Sequence, residues 1–302
     1  MFRLDARLEA RTPPVAALAV AVLAVSTSAI LVRYSAAPSL VKAFYRVLFT
    51  LAILAPVALL RSRSSLRDLS RRQLLAAGAT GVALAVHFAT WFESLRWTSV
   101  AASVTLVQAQ PLFVALGAFW LLDERLSRRL ALGIGIALAG MVVMTLSGAG
   151  VAGSVTGARP LYGDGLAVVG ALMAATYVLA GRSLRQRIAL VPYVTVVYAA
   201  CAAALLAFAV AGGERVWLGA YPPREWLLFL GMAVGPGLLG HTVINWSLEH
   251  LESSVVSVAL LGEPVGSTVL AALLLGETPG LPTVVGGAVV LVGVLLVVRS
   301  RR

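Results

Sequence analysis

Residues 263–277 read EPVGSTVLAALLLGE, and residues 110–124 read QPLFVALGAFWLLDE. In each stretch a proline follows Glu or Gln, and a Leu-Leu-x-Glu closes it 13 residues after the proline. Laying one stretch on the other sets an offset of 153 residues. Without a gap, that offset also places Ser94-Leu95 on Ser247-Leu248, Gly133 on Gly286 and Gly140 on Gly293. Matching leucines are cheap in so apolar a chain, but matching Pro, Glu and two Gly are not, and such self-similarity marks an internal repeat. The chain therefore reads as two halves, 1–150 and 151–302, joined near the Gly-, Ser- and Ala-rich stretch 148–160.

A membrane-crossing helix needs about 20 mostly apolar residues. Working outward from the repeat, that length predicts segments at 14–33, 39–60, 73–95, 98–122 and 129–148 in the first half. The second half gives 161–181, 190–212, 225–247, 253–275 and 281–299. Five segments per half is an odd number, so the second copy enters the bilayer upside down. The expected fold is an all-α integral membrane protein of ten transmembrane helices arranged as two inverted five-helix repeats. Inverted repeats place a solute site near the midplane, between the halves.

Composition agrees. Of 302 residues, 60% are hydrophobic and only 12% are charged, too little polar surface for a soluble domain of this size. The net charge of +11 invites a nucleic-acid reading. However, the arginines stand in short clusters between apolar runs, which is how membrane orientation is encoded. With the N-terminus inside, seventeen of the 24 Lys and Arg fall on the inner side, so both termini are expected in the cytoplasm. Nucleic acid is excluded as a partner and the bilayer takes its place. The single cysteine, Cys201, permits no intrachain disulfide and reads as a small buried residue. Arg3, Arg7 and Arg11 before an apolar run look like a signal peptide. The repeat, however, needs that run as its first helix.

The pattern resembles the drug/metabolite transporter superfamily, EamA-type branch. The motifs that carry the resemblance are Pro111 to LLDE at 121–124 and GEPVGSTVLAALLLGE at 262–277. The likeness spans nearly the whole chain. It implies a transporter, typically an exporter of amino acids or related metabolites, with no enzyme activity, cofactor or metal. It also implies that a Glu-Pro pair at 263–264 serves the fold as well as any solute, and that an arginine in the second segment is part of the pattern.

Ionisable and polar residues inside membrane helices are expensive, so each is a functional candidate. Glu263 leads, about ten residues into the ninth segment and hence about 15 Å deep. It is a candidate for binding a substrate amine or carrying a coupling proton, against a purely structural hydrogen bond. Gln110 stands at the matching place, with Gln108 two residues earlier. His87 and His241 fall at equivalent places in segments three and eight. His87 shares a helical face with Thr90, Trp91 and Ser94, and His241 shares one with Asn245 and Glu249. Tyr177, Ser26 and Ser28 are further candidate liners, and Trp91 and Trp246 are candidates to stack on a solute, with interfacial anchoring the alternative for Trp246. Two histidines without a third ligand do not make a zinc site. Lys42 is expected to snorkel, whereas Arg46, about 10 Å along its helix, reads as structural in preference to anion-binding.

Three further features are read from type and position. Gly235-Pro236-Gly237 should kink segment eight, with Pro111 and Pro264 acting similarly. Glu124 and Glu277 should cap the helices that follow them. The glycines of segments five and ten, at 133, 135, 140, 286, 287 and 293, should form close-packing faces for the bundle or a homodimer.

The leading expectation is a secondary transporter of small metabolites working by alternating access. There is no G-x-x-x-x-G-K-[ST] phosphate loop, and no H-E-x-x-H or paired-aspartate cluster for a membrane enzyme. The alternatives are other cargo, such as drugs, cations, nucleosides or phosphorylated metabolites, and a membrane protein that does not transport. A phosphorylated cargo would want a cationic cavity, for which only Lys42 and Arg46 are available.

Overall fold

A computed structural model describes residues 13–97, 103, 106–125, 127–149, 159–275 and 279–299. Among them every regular element is helical, with no strand. Eight helices are long and apolar enough to cross a membrane, and a shorter apolar helix spans Gln110–Leu121. Large apolar side chains such as Leu60, Trp120, Leu161 and Leu281 lie largely exposed, as lipid-facing surface requires. The chain forms two compact units. One comprises 1–86 and 180–251, the other 87–179 and 252–302.

The first unit begins with α1 (Pro14–Tyr34), whose proline sits in the first turn, where its missing N–H costs nothing. Then come α2 (Ser39–Arg61), the short α3 (Arg63–Arg67) and the start of α4 (Arg71–Trp97). A capping box starts α4. The Ser70 amide donates to Gln73 Oε1 at 2.9 Å, and the Gln73 amide donates to Ser70 Oγ at 3.3 Å. After the crossing α8 (Leu190–Ala211), Gly213 takes φ +73°. Glu214 N then reaches Ala209 O at 2.9 Å, the closure of a Schellman turn.

Residues Pro223–His250 form a single crossing of 28 residues built from three pieces. These are α9 (Pro223–Met232), a π-helix (Ala233–Thr242) and α10 (Val243–His250). A kink was the expectation at Gly235-Pro236-Gly237. The structure instead widens the helix there, because Pro236 has no N–H to give and the glycines have no Cβ to obstruct a broader turn. The glycines also let neighbours in. A Cβ on Gly237 would lie 2.2 Å from Thr50 Oγ1 of α2, and one on Gly240 would lie 2.5 Å from Val25 of α1.

The second unit holds the remainder of α4, α5 (Gln110–Leu121), α6 (Arg128–Ala149), most of α7 (Pro160–Arg185), α11 (Ser253–Ala259), α12 (Gly262–Leu275) and α13 (Leu281–Arg299). Its centre is the pair α6 and α13. A Cβ on Gly140 would come within 2.6 Å of Val290 N, and one on Gly293 within 2.5 Å of Ala137 N. Only bare backbone fits there, so the expected small-residue face is present at 133, 140, 286 and 293. Gly135 is the exception, since it faces open space. Leu130, Ile134, Met141, Leu261, Val290 and Val297 fill the core around this pair.

The ninth predicted segment, 253–275, is broken. α11 ends at Ala259, and α12 starts afresh at Gly262. Likewise a turn at 108–109 precedes α5, which starts at Gln110. The interruptions stand just before Pro111 and Pro264, the residues expected to disturb these helices. Both prolines occupy first turns, where proline is tolerated because no intrahelical donor is missed.

Candidate functional site

In the second unit Glu263 lies half-buried in the first turn of α12, and its amide donates to Leu260 O at 2.9 Å. A carboxylate in that position is favoured by the positive end of the helix dipole. The break thus gives Glu263 a setting that an unbroken helix would not. Gln110 takes the same place at the start of α5, and Gln108 lies in the turn before it; both are half-buried.

On α4, His87 Nδ1 lies 2.9 Å from Gly170 O of α7. A carbonyl only accepts, so Nδ1 carries the proton and donates. The Trp91 ring stacks on His87 with centroids 5.8 Å apart and planes 25° apart. Gly170 makes room for this face, since a Cβ there would touch Thr90 and Trp91. Trp91 Nε1 is buried and has no hydrogen-bond partner among the described residues. Ser94, at the far end of the stripe, bonds Ser103 at 2.5 Å. Tyr177 is buried, 3% exposed.

In the first unit Ser26 is fully buried and donates to Val22 O of its own helix at 2.8 Å. His241 is half-buried in the π-helix, and Asn245 Nδ2 donates to its carbonyl at 2.8 Å. Trp246 is buried and packs on His250 at 4.3 Å. Lys42 Nζ turns to Val32 O at 3.3 Å, a short snorkel to a helix carbonyl.

Arg46 is 6% exposed, deep within α2, and its Nη1 donates to Ser28 Oγ at 3.3 Å. Thr50, one turn on, donates to Arg46 O at 2.8 Å and reaches Ala233 O of the π-helix at 3.1 Å. Tyr198 Oη and Thr242 Oγ1 pair at 3.1 Å. The sequence motifs do not mark Tyr198. The signal that points to it is a run of polar atoms at 193, 195, 198 and 201 inside an apolar crossing.

Helix ends are held by side chains from far away in sequence. Glu124 caps a helix far from it in the chain. Its carboxylate accepts from the amides and hydroxyls of both Ser253 and Ser254, at 2.9 to 3.3 Å, and so caps α11. Glu277 lies outside the described residues. Arg182 and Gln186 donate to the last carbonyls of α10, Leu248 O and Glu249 O, just before α11 in the chain. Buried Arg185 donates to Asn245 O and Ile188 O and pairs with Glu249. An open apolar groove of about 710 Å³ beside Phe49, Tyr221 and Trp226 has no converging polar groups.

Among the described residues, no three or more His, Cys, Asp or Glu converge as they would around a metal ion. The parts define a class, an all-helical multi-pass membrane protein with broken helices and polar groups buried in its crossings. The family model "EamA-like transporter family" matches residues 13–146 and again 161–299. A protein of Archaeoglobus fulgidus named an uncharacterized transporter is 29% identical over 254 residues, covering 82% of this chain and 84% of that one. A solved crystal structure superposes with a TM-score of 0.80 at 22% identity, over 96% of this chain and 98% of its own, which speaks to the fold. The chain belongs to the EamA-like transporter family and is a membrane transporter.

Proposed function

We propose that this chain is a secondary transporter of small zwitterionic, cationic or neutral metabolites, amino acids among them, exporting them across the cytoplasmic membrane. In this reading the ten helices form two inverted halves, 1–150 and 151–302, both termini lie in the cytoplasm, and the halves rock to alternate access. No metal or cofactor takes part.

The observation that carries the reading is the matched pair of helix breaks. At Gln110-Pro111 and again at Glu263-Pro264, a new helix starts inside an apolar crossing. Irregular backbone at membrane depth is tolerated only where it is buried in protein or lines a cavity, and transporters put their solute sites at such breaks. Glu263 binds the solute's cationic group or carries the coupling proton. Gln108, Gln110, His87, Trp91 and Tyr177 of the same unit supply neutral contacts, and Ser26, His241 and Asn245 are candidate polar groups within the first unit. Trp91 supports this with its buried indole donor, since such a group ordinarily finds an acceptor.

Purified protein in proteoliposomes tests the reading. Uptake of amino acids, amines and nucleosides is measured with and without a proton gradient, for wild type and Glu263→Gln. Saturable uptake lost in the variant, with melting temperature unchanged, is the expected result. Loss of gradient dependence alone assigns the proton to Glu263. Uptake indifferent to the substitution reduces Glu263 to a structural group, and no uptake of any solute overturns the reading.

A further inference from the structure

The first unit carries an apolar groove of about 710 Å³ between α2 and α9. Phe49, Ala52 and Ile53 form one wall, at the i, i+3 and i+4 spacing of a single helix face. Trp226, Leu227 and Leu230 form the other, within one turn of each other on α9. Ala52 is small and exposed, and leaves the space between the walls. Ile53, Leu227 and Leu230 are exposed as well, so the groove opens onto the surface that faces lipid. Its aromatic side is fixed. Trp226 Nε1 donates to Tyr221 O at 3.2 Å, and its ring stands edge-on to Tyr45 and Phe229 at 4.8 and 5.5 Å. Tyr221 lines the mouth and donates from its hydroxyl to Arg215 O at 2.8 Å. The mouth is thus tied to the loop 212–222 that joins α8 to α9.

The charges at this mouth select the ligand. Arg224 is exposed in the first turn of α9, three residues before Leu227 and so on the same side of the helix. Arg215 is exposed too, its guanidinium 5.8 Å from the centre of the Trp217 ring. Of the neighbouring acids, Glu225 is buried, and its carboxylate accepts from Ser35 Oγ and the Ala36 amide inside the unit. Glu214 is half-buried and, with Arg215, lies within electrostatic range of Tyr221. Arg215, Arg224 and Glu214 together leave a single positive charge. The crossing begins at Pro223, so these groups stand at the membrane surface. From Pro223 to Leu230 the groove runs about 10 Å along α9 toward the hydrocarbon. A polar solute finds no partner on such walls. A phospholipid matches both ends, because its acyl chain suits the walls and its phosphodiester carries one negative charge, which a guanidinium fork meets in two parallel bonds.

We propose that this groove holds one bilayer phospholipid, in the leaflet on the side of the 212–222 loop. An acyl chain lies between α2 and α9, and the phosphodiester sits on Arg224 with Arg215 beside it. The assignment needs only that the chain lies in a bilayer, and stands apart from which solute it moves.

Native mass spectrometry of the full chain in detergent tests it. The probes are dioleoyl phosphatidylglycerol, dioleoylglycerol with the same chains and no phosphate, and glycerol 3-phosphate with no chain. Wild type is compared with Arg224→Gln and Ala52→Phe, both at exposed positions outside the packed core. Wild type is expected to hold a first phosphatidylglycerol more tightly than further copies. It should also prefer it to dioleoylglycerol by roughly tenfold, the worth of one charge-assisted contact. Arg224→Gln should lower phosphatidylglycerol affinity toward that of dioleoylglycerol and leave the latter unchanged. Ala52→Phe fills the groove and should remove the tight site for both. Excess glycerol 3-phosphate should displace nothing. Equal affinity of wild type for the two lipids, or no tight first copy, overturns the proposal. So does phosphatidylglycerol binding that neither substitution weakens. Displacement by glycerol 3-phosphate would give the arginines to a soluble phosphate, and a dimer dissociated by Ala52→Phe would give the groove to a second copy of the chain; either result overturns it as well. Solute uptake can succeed or fail without moving any of these readouts.

Discussion

Glu124 shows how much one side chain can carry. Its carboxylate takes four hydrogen bonds from two serines at the start of α11, replacing the water that those helix donors would otherwise need. Glu124→Ala should cost on the order of 2 kcal/mol or more, read as a clear fall in melting temperature in detergent. Glu124→Gln, with one acceptor oxygen in place of two, should fall between. Trp91 makes the opposite case. Its buried donor has no described protein partner, so Trp91→Phe should cost only lost packing, about 1 kcal/mol, while raising KM for uptake. An equal loss of stability would make the indole structural. The capping chemistry of Glu124 is legible from its place beside a helix end. The helix it caps is not, because Ser253 lies 129 residues away and nothing local records the meeting.

Among the elements, the glycine pair of α6 and α13 gives a comparison within one helix. Gly140→Ala sets a Cβ against backbone atoms at 2.6 and 2.7 Å, which cannot move as side chains do. The helices must part, at about 1–3 kcal/mol. Gly135→Ala, five residues earlier in open space, should be neutral or gain up to about 1 kcal/mol from helix propensity. Thermal melts of the two variants check both. At the π-helix, Gly237→Ala meets Thr50 Oγ1 at 2.2 Å, so adding Thr50→Ala should recover part of its loss. Spacing alone reveals that six glycines share two faces. It does not reveal that one of them looks outward, because a helix face is wider than its contact line. The prolines mislead in a similar way. Pro111, Pro236 and Pro264 all announce a disturbed helix, but a restart and a π-helix carry the same local signal.

For the molecule as a whole, the arginine distribution makes a directional prediction. Cys201 is fully buried, so Cys201→Ala should be tolerated and give a cysteine-free background. A cysteine introduced at Arg215 should then react with a membrane-impermeant maleimide added to intact cells, and one introduced at Arg187 should not. The reverse pattern would invert the assigned orientation. That the chain lives in lipid is plain from composition, and among the described residues eight helices are long and apolar enough to cross a membrane. The compact units are not legible. The repeat divides the chain near 150, whereas each unit draws residues from both halves, with the chain passing between them inside α4 and α7 and at 251–252. Periodicity records which segments are alike, and compactness depends on which segments meet.

The reach of Glu124 to Ser253 also sets an order in time. The carboxylate is synthesised 129 residues before the serines that receive it, a delay of roughly 6–26 s at ordinary rates of translation. Gly140 waits longer for Gly286. Through that interval the first half sits in the bilayer with a charge facing water and a bare helical groove facing lipid. A ribosome that stalls near residue 200 therefore leaves behind a fragment whose defects are already on display to the membrane's proteases.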